Sequence, residues 1–96
     1  MTMYEVKDPK FAIKIGFDRN LLLSEKPDLD AFRTHLAEAF HAKFRGIRFM
    51  VKLVNVHLEV YYFIYFPNPP HKTVIKKMLD WIKRTYKIAS LDIAGV

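Results

Sequence analysis

The sequence predicts a single α+β domain in which two helices cover one face of a four-stranded antiparallel sheet. The chain has 96 residues, 51% of them hydrophobic, which is enough for one core and too little for two. Its hydrophobic residues switch between a period of two and steps of three and four, as they do in strands and amphipathic helices. Proline-containing breaks at residues 24–27 and 67–70 separate these segments.

The first half of the chain predicts a strand followed by a helix. Hydrophobic residues alternate with small or charged ones from Phe11 to Asp18, which is typical of a half-buried strand. After the first break, hydrophobic residues recur at helical spacing, which predicts an amphipathic helix over about residues 27–44. Pro27 suits the first turn of this helix, and Gly46 lies just past its end.

The second half predicts a β-hairpin, a second helix and a short last strand. A period of two returns over residues 47–66, and we place a turn near Asn55 because a single strand of this length would be abnormal. The prolines at 67–70 end the hairpin, since proline cannot donate to the ladder. Helical spacing predicts a helix over about residues 70–87, and the weak alternation of residues 89–94 predicts a fourth strand.

The resulting order, β-α-β-β-α-β, is that of the ferredoxin-like fold. In that arrangement the strand face rich in Ile, Phe, Val and Leu points at the two helices. The opposite face would then present nine residues, in chain order Lys14, Arg48, Met50, Lys52, His57, Glu59, Tyr61, Phe63 and Tyr65.

The net charge of +6 is unevenly distributed along the chain. Residues 1–30 carry a net charge of −1, residues 31–66 carry +3 and residues 67–96 carry +4. This asymmetry is the pattern expected of a protein that binds a polyanion. The alternative interpretation is that these positive residues form only the ordinary solvated surface of a basic protein.

Aromatic and cationic residues share the predicted open sheet face. Tyr61, Phe63 and Tyr65 lie on one side of the third strand, and the cations of the same surface are Lys14, Arg48 and Lys52. Aromatic rings offer platforms on which unpaired bases stack, while cations hold phosphates.

This surface resembles that of an RNA recognition motif, which has the same element order and exposed aromatic residues on its third strand. The chain lacks the basic-glycine start of that motif and has no aromatic residue at positions 12, 14 or 16 of the first strand. The resemblance implies binding of DNA or RNA by stacking. The alternative is that a second copy of the chain, or its terminal segments, buries the aromatic face, because monomers rarely expose such a patch.

The second predicted helix is cationic on its polar side. Lys76, Lys77, Lys83 and Arg84 form a candidate phosphate-binding surface with little sequence preference. A basic amphipathic helix also suits an anionic membrane surface.

Three residues near the hairpin raise an enzymatic alternative. Asn55, His57 and Glu59 alternate onto one face, and the second helix carries Tyr86. This set resembles the HUH single-strand nucleases and replication initiators, which pair two histidines with a helix-borne tyrosine nucleophile. Asn55 stands where the first histidine would be, and Tyr86 also has the spacing of a core residue.

We therefore predict a small nucleic-acid-binding domain without catalytic activity of its own, needing no cofactor or metal. The second hypothesis is a homodimer or larger assembly that buries the sheet face, and the third is a degenerate HUH-like nuclease. The chain has no cysteine, no apolar run of membrane-spanning length and an N-terminus, residues 1–7, without the apolar stretch of a signal peptide. These features lead us to expect an intracellular protein with no transmembrane segment.

Overall fold

The computed structural model describes residues 5–95, so the first four residues of segment 1–7, where we expect no signal peptide, lie outside the described residues. The elements are β1 (Phe11–Asp18), α1 (Arg19–Glu25), α2 (Leu29–Lys43), β2 (Met50–Asn55), β3 (Glu59–Phe66), α3 (Lys72–Thr85) and β4 (Ser90–Gly95). The four strands form one sheet in the order β2-β3-β1-β4, with every neighbouring pair antiparallel. The predicted α+β class with a four-stranded antiparallel sheet is confirmed.

Helix α1 was not predicted, because we interpreted the segment after β1 as leading into a break. Asp18 ends β1 and caps α1, its carboxylate accepting a hydrogen bond from the Leu21 amide at 3.0 Å. Among the seven residues of α1 only Leu22 is buried. A helix of seven residues is too short to show a hydrophobic periodicity in the sequence. Its N-cap, Asp18, is the sequence feature that indicates it.

The two longer helices begin where polar side chains cap them. Asp28 accepts hydrogen bonds from the amides of Asp30 and Ala31, and α2 begins at Leu29, two residues after the predicted start. His71 caps α3, its Nδ1 accepting a hydrogen bond from the Thr73 amide at 3.2 Å. Both helices end within two residues of their predicted ends.

The hairpin differs from its prediction at both ends of β2. This strand begins at Met50, three residues later than predicted, and the chain reverses at His57 and Leu58 rather than at Asn55. The Val56 amide donates to the Glu59 carbonyl at 3.2 Å across the reversal. Asn55 instead accepts a hydrogen bond from the Arg19 guanidinium, which ties the end of β2 to the start of α1.

One face of the sheet forms the core with α2 and α3. Leu36 and Phe40 of α2 and Met78 and Ile82 of α3 are fully buried against it. The largest buried side chain is Tyr62 of β3, whose hydroxyl donates to the Leu29 carbonyl at 2.8 Å. Within residues 5–95, no helix is both long and apolar enough to cross a membrane.

Candidate nucleic-acid interface

The sheet face turned away from the helices carries the predicted aromatic residues, and the strand register arranges them in rows. In the central row Phe63 lies between Lys14 of β1 and Lys52 of β2. Asp92 of β4 lies on the far side of Lys14 in the same row. The structure thus places a ring between two cations at the middle of the open face.

Tyr65 and Tyr61 occupy the two neighbouring rows, each beside a small residue of β1. Tyr65 lies opposite Ala12, and Tyr61 lies opposite Gly16. A Cβ atom on Gly16 would lie 3.1 Å from Cε1 of Tyr61 and would collide with Oγ of Ser90. The space beside Gly16 is thus filled by the Ser90 hydroxyl of β4 and closely approached by the Tyr61 ring, so a larger side chain at position 16 requires Ser90 to move.

The three rings differ in what they contact. The Lys14 ammonium lies over the Tyr61 ring, 4.1 Å from its centroid, and the Tyr61 hydroxyl donates to the Glu59 carboxylate. Phe63 and Tyr65 stack on each other, with centroids 5.7 Å apart and ring planes within 10° of parallel. Tyr61 is thus held by two charged neighbours, while Phe63 and Tyr65 form a partly exposed pair of parallel rings.

Arg48 is placed differently from the other predicted cations of this face. It precedes β2 and is not part of the paired sheet. It lines a small surface cavity together with Glu5, Val6 and Pro67. Lys14 and Lys52 are therefore the cations that the sheet register brings to the aromatic residues.

The cations of α3 lie on the other side of the molecule. Met78 and Ile82 turn α3 onto the helix-covered face of the sheet, and the exposed surface of the helix carries Lys76, Lys77, Lys83 and Arg84. The structure therefore separates the two predicted contact surfaces by the full thickness of the domain.

Two of the α3 cations line a groove that we did not predict from the sequence. The groove lies between α3 and the end of α2 and encloses about 610 Å³. Its positive residues, called here the groove cations, are Lys43, Arg45, Lys77 and Arg84. Lys43 and Arg45 belong to the end of the first long helix and its following turn, where basic residues are ordinary partners of the helix dipole.

The residues of the HUH-like hypothesis do not converge. His57 is exposed in the hairpin turn, and the Glu59 carboxylate accepts the Tyr61 hydroxyl on the open face. Tyr86 packs instead on the helix-covered face, with its ring centroid 6.4 Å from that of Phe17. Among residues 5–95 no three His, Asp or Glu side chains are grouped so as to hold a metal ion.

The Tyr86 hydroxyl is buried and has no hydrogen-bond partner within residues 5–95, and burial raises the pKa of this phenol. A buried polar group without a partner destabilises the folded state. We expect Tyr86→Phe to raise the free energy of unfolding by about 1 kcal/mol, measured by urea denaturation. Tyr62→Phe is the matched control, because it removes a satisfied hydroxyl and should lower stability. A loss of stability in Tyr86→Phe would show that this hydroxyl does have a partner.

No family model matches the chain, and no curated protein or solved structure is significantly similar to it.

Proposed function

We propose that this protein binds single-stranded nucleic acid on its open sheet face, without catalytic activity of its own. The observation that carries the proposal is the central row of the sheet, in which Phe63 lies between Lys14 and Lys52 and stacks on Tyr65. Unpaired bases stack on such rings for about 1–3 kcal/mol each, and flanking cations hold the backbone. Because every base has a π-face, we expect little sequence preference.

The charges around the rings favour one side of the sheet for the phosphate backbone. Asp92 lies next to Lys14 in the register, and the Lys14 ammonium is already engaged with the Tyr61 ring. Lys52 is exposed on the edge strand β2. In the proposed complex the backbone runs along the β2 side, near Lys52, and the bases point inward over Phe63 and Tyr65.

We also propose that the architecture is a ferredoxin-like fold with one added helix. The antiparallel order β2-β3-β1-β4 supports this assignment, because two split β-α-β units interleave in that way. The departure is α1, which stands between β1 and α2. In this fold the uncovered sheet face is the surface that carries the rings.

The cations of α3 form a second contact surface in the proposal. Lys76, Lys77, Lys83 and Arg84 are exposed, and Asp80 is the acidic residue of the same helix. Contacts from such residues neutralise phosphates and do not read bases. They supply affinity that is salt-dependent and indifferent to sequence.

A second candidate function is assembly of two copies through the same sheet face. The residues around the rings favour it, since Met50 lies opposite Tyr65 and Val54 opposite Tyr61, which extends the aromatic patch with apolar side chains. A contiguous apolar patch is often buried in an interface. Burial of this face in an interface would also bury the Lys14 ammonium. Its position over the Tyr61 ring partly stabilises that charge.

The proposed function is tested by titrating a labelled single-stranded oligonucleotide and following fluorescence anisotropy at about 50 and 200 mM salt. We expect binding that weakens as salt rises, with a slope of log K against log salt of about −0.7 for each phosphate contacted. A mononucleotide of the same base serves as the control and should bind far more weakly. Absence of oligonucleotide binding at the lower salt concentration would refute the proposal.

A further inference from the structure

The groove between α2 and α3 concentrates positive charge, because the described residues that line it include four cations and one carboxylate. Within residues 5–95 the two ion pairs join Lys10 to Asp8 and Arg33 to Asp30, so neither involves a groove cation. Among the described residues that line the groove, Asp80 is the one acidic residue. Four cations around one acid repel one another, and this repulsion is relieved when an anion binds.

We infer that this groove is a second nucleic-acid site, which binds the phosphodiester backbone independently of the sheet face, so that one molecule holds two nucleic-acid segments on opposite sides. Binding of the segment on the sheet face rests on the proposed function. Binding of the segment in the groove rests on the groove cations alone. It also assigns Lys43 and Arg45 to the interface, in addition to Lys77 and Arg84 of α3.

The spacing of the cations fits a chain of phosphates better than a single anion. Lys77 and Arg84 are two turns apart on α3, about 10 Å along its axis. A nucleic-acid strand carries one phosphate at every nucleotide, so two cations this far apart contact different phosphates of one backbone. Arg84 Nε donates to the Asp80 carbonyl at 3.4 Å, which directs the side chain back along the helix.

The floor of the groove is apolar, and its charged groups lie at the rim. It is formed by Phe44, Ile47 and Val74, all partly buried. The Phe44 ring is partly buried and packs against Phe40 and Trp81, with centroids 4.9 and 5.9 Å away. Contacts from lysine and arginine to phosphates do not read bases, so the inferred site accepts a strand whether or not its bases are paired.

The test uses duplex DNA, because paired bases cannot stack on Phe63 and Tyr65. The groove variant is Lys77→Gln/Arg84→Gln, and the matched control is Lys72→Gln/Lys87→Gln, which removes the same charge from exposed positions at the two ends of α3, outside the groove. We expect the groove variant to lower the magnitude of the salt slope for duplex by about two, since each phosphate contact contributes about one. The control should change it by less than half as much.

A further pair of variants separates this inference from the proposed function. Lys43→Gln/Arg45→Gln, on the other wall of the groove, should weaken duplex binding as the α3 pair does. Phe63→Ala/Tyr65→Ala should weaken single-strand binding and leave duplex binding unchanged. If this sheet-face variant keeps full single-strand affinity, the proposed function fails while the groove assignment stands. If the groove pairs and the control pair weaken duplex binding equally, or duplex does not bind at all, the groove assignment is wrong.

Simultaneous binding is tested by capture. Wild-type protein bound to an immobilised single strand should retain labelled duplex, and the Lys77→Gln/Arg84→Gln variant should bind the single strand but retain several-fold less duplex. Release of the protein from the single strand by excess duplex would show one shared site and overturn the inference. Tight binding of adenosine triphosphate in the groove without duplex binding would also overturn it, in favour of a small polyphosphate ligand.

Discussion

Replacing both Phe63 and Tyr65 with alanine is expected to weaken single-stranded oligonucleotide binding about a hundredfold. Each stacked base contributes about 1–3 kcal/mol, so loss of two platforms costs about 3 kcal/mol or more. The two rings are partly exposed on the open face and stack on each other rather than packing into the core. The measurement is fluorescence anisotropy at fixed salt, with circular dichroism to confirm that the variant is folded.

The matched control is Met50→Ala/Val54→Ala, which truncates apolar side chains of the same face without removing a ring. It should change oligonucleotide affinity less than threefold, about 0.6 kcal/mol. Sedimentation of all three proteins separates the two candidate functions. A wild-type dimer that both variants dissociate, with no oligonucleotide binding in any of them, would favour assembly through the sheet face over nucleic-acid binding.

Hydrophobic alternation predicted β1 and β3 well because helices cover one face along the whole length of both strands. Residues 60, 62, 64 and 66 are buried and their neighbours are partly exposed, so burial and strand pairing coincide. At β2 they do not coincide. Ile47 and Phe49 pack against the core, yet the paired strand begins only at Met50. The hydrophobic alternation at residues 47–49 therefore reflects buried side chains and not strand pairing. The sequence pattern does not distinguish these two causes.

The sequence predicted which aromatic residues lie on the open sheet face. It did not predict which side chains of that face contact each other. Strand parity alone puts Tyr61, Phe63 and Tyr65 on one side. That Lys14 covers Tyr61, while Phe63 lies between two lysines, depends on the register between β1 and β3. Register is set by long-range pairing, which a single sequence does not specify. The distinction matters because it makes Phe63 and Tyr65, rather than Tyr61, the expected stacking pair.

The cationic groove was missed for a similar reason. Lys43 and Arg45 are distant from α3 in sequence, and they reach it because the end of α2 packs on α3 through Phe44 and Trp81. Charge counts along the chain located the excess of positive charge in its last two-thirds. They could not show that two segments of this region meet.

The stability of this protein should fall steeply between pH 10 and pH 12 because of Tyr62. Burial, with a smaller contribution from the negative charge of Asp30, raises the pKa of Tyr62 from 10.0 to about 12. In that interval the unfolded chain loses the phenol proton while the folded protein keeps it. The stabilisation is therefore complete below pH 10 and lost as the pH rises through the folded pKa, a change of about 2–3 kcal/mol.

Tyr62→Phe isolates this effect from the other groups that titrate at alkaline pH. At pH 7 the variant should be less stable by about 1 kcal/mol, because the hydrogen bond to the Leu29 carbonyl is lost. Since the variant has no proton to lose at this position, its free energy of unfolding should fall less steeply with pH. The two urea-denaturation curves of stability against pH should cross between pH 10 and pH 12. Parallel curves would mean that the Tyr62 phenol ionises equally well in the folded and unfolded protein, and that its burial does not control the alkaline limit of the fold.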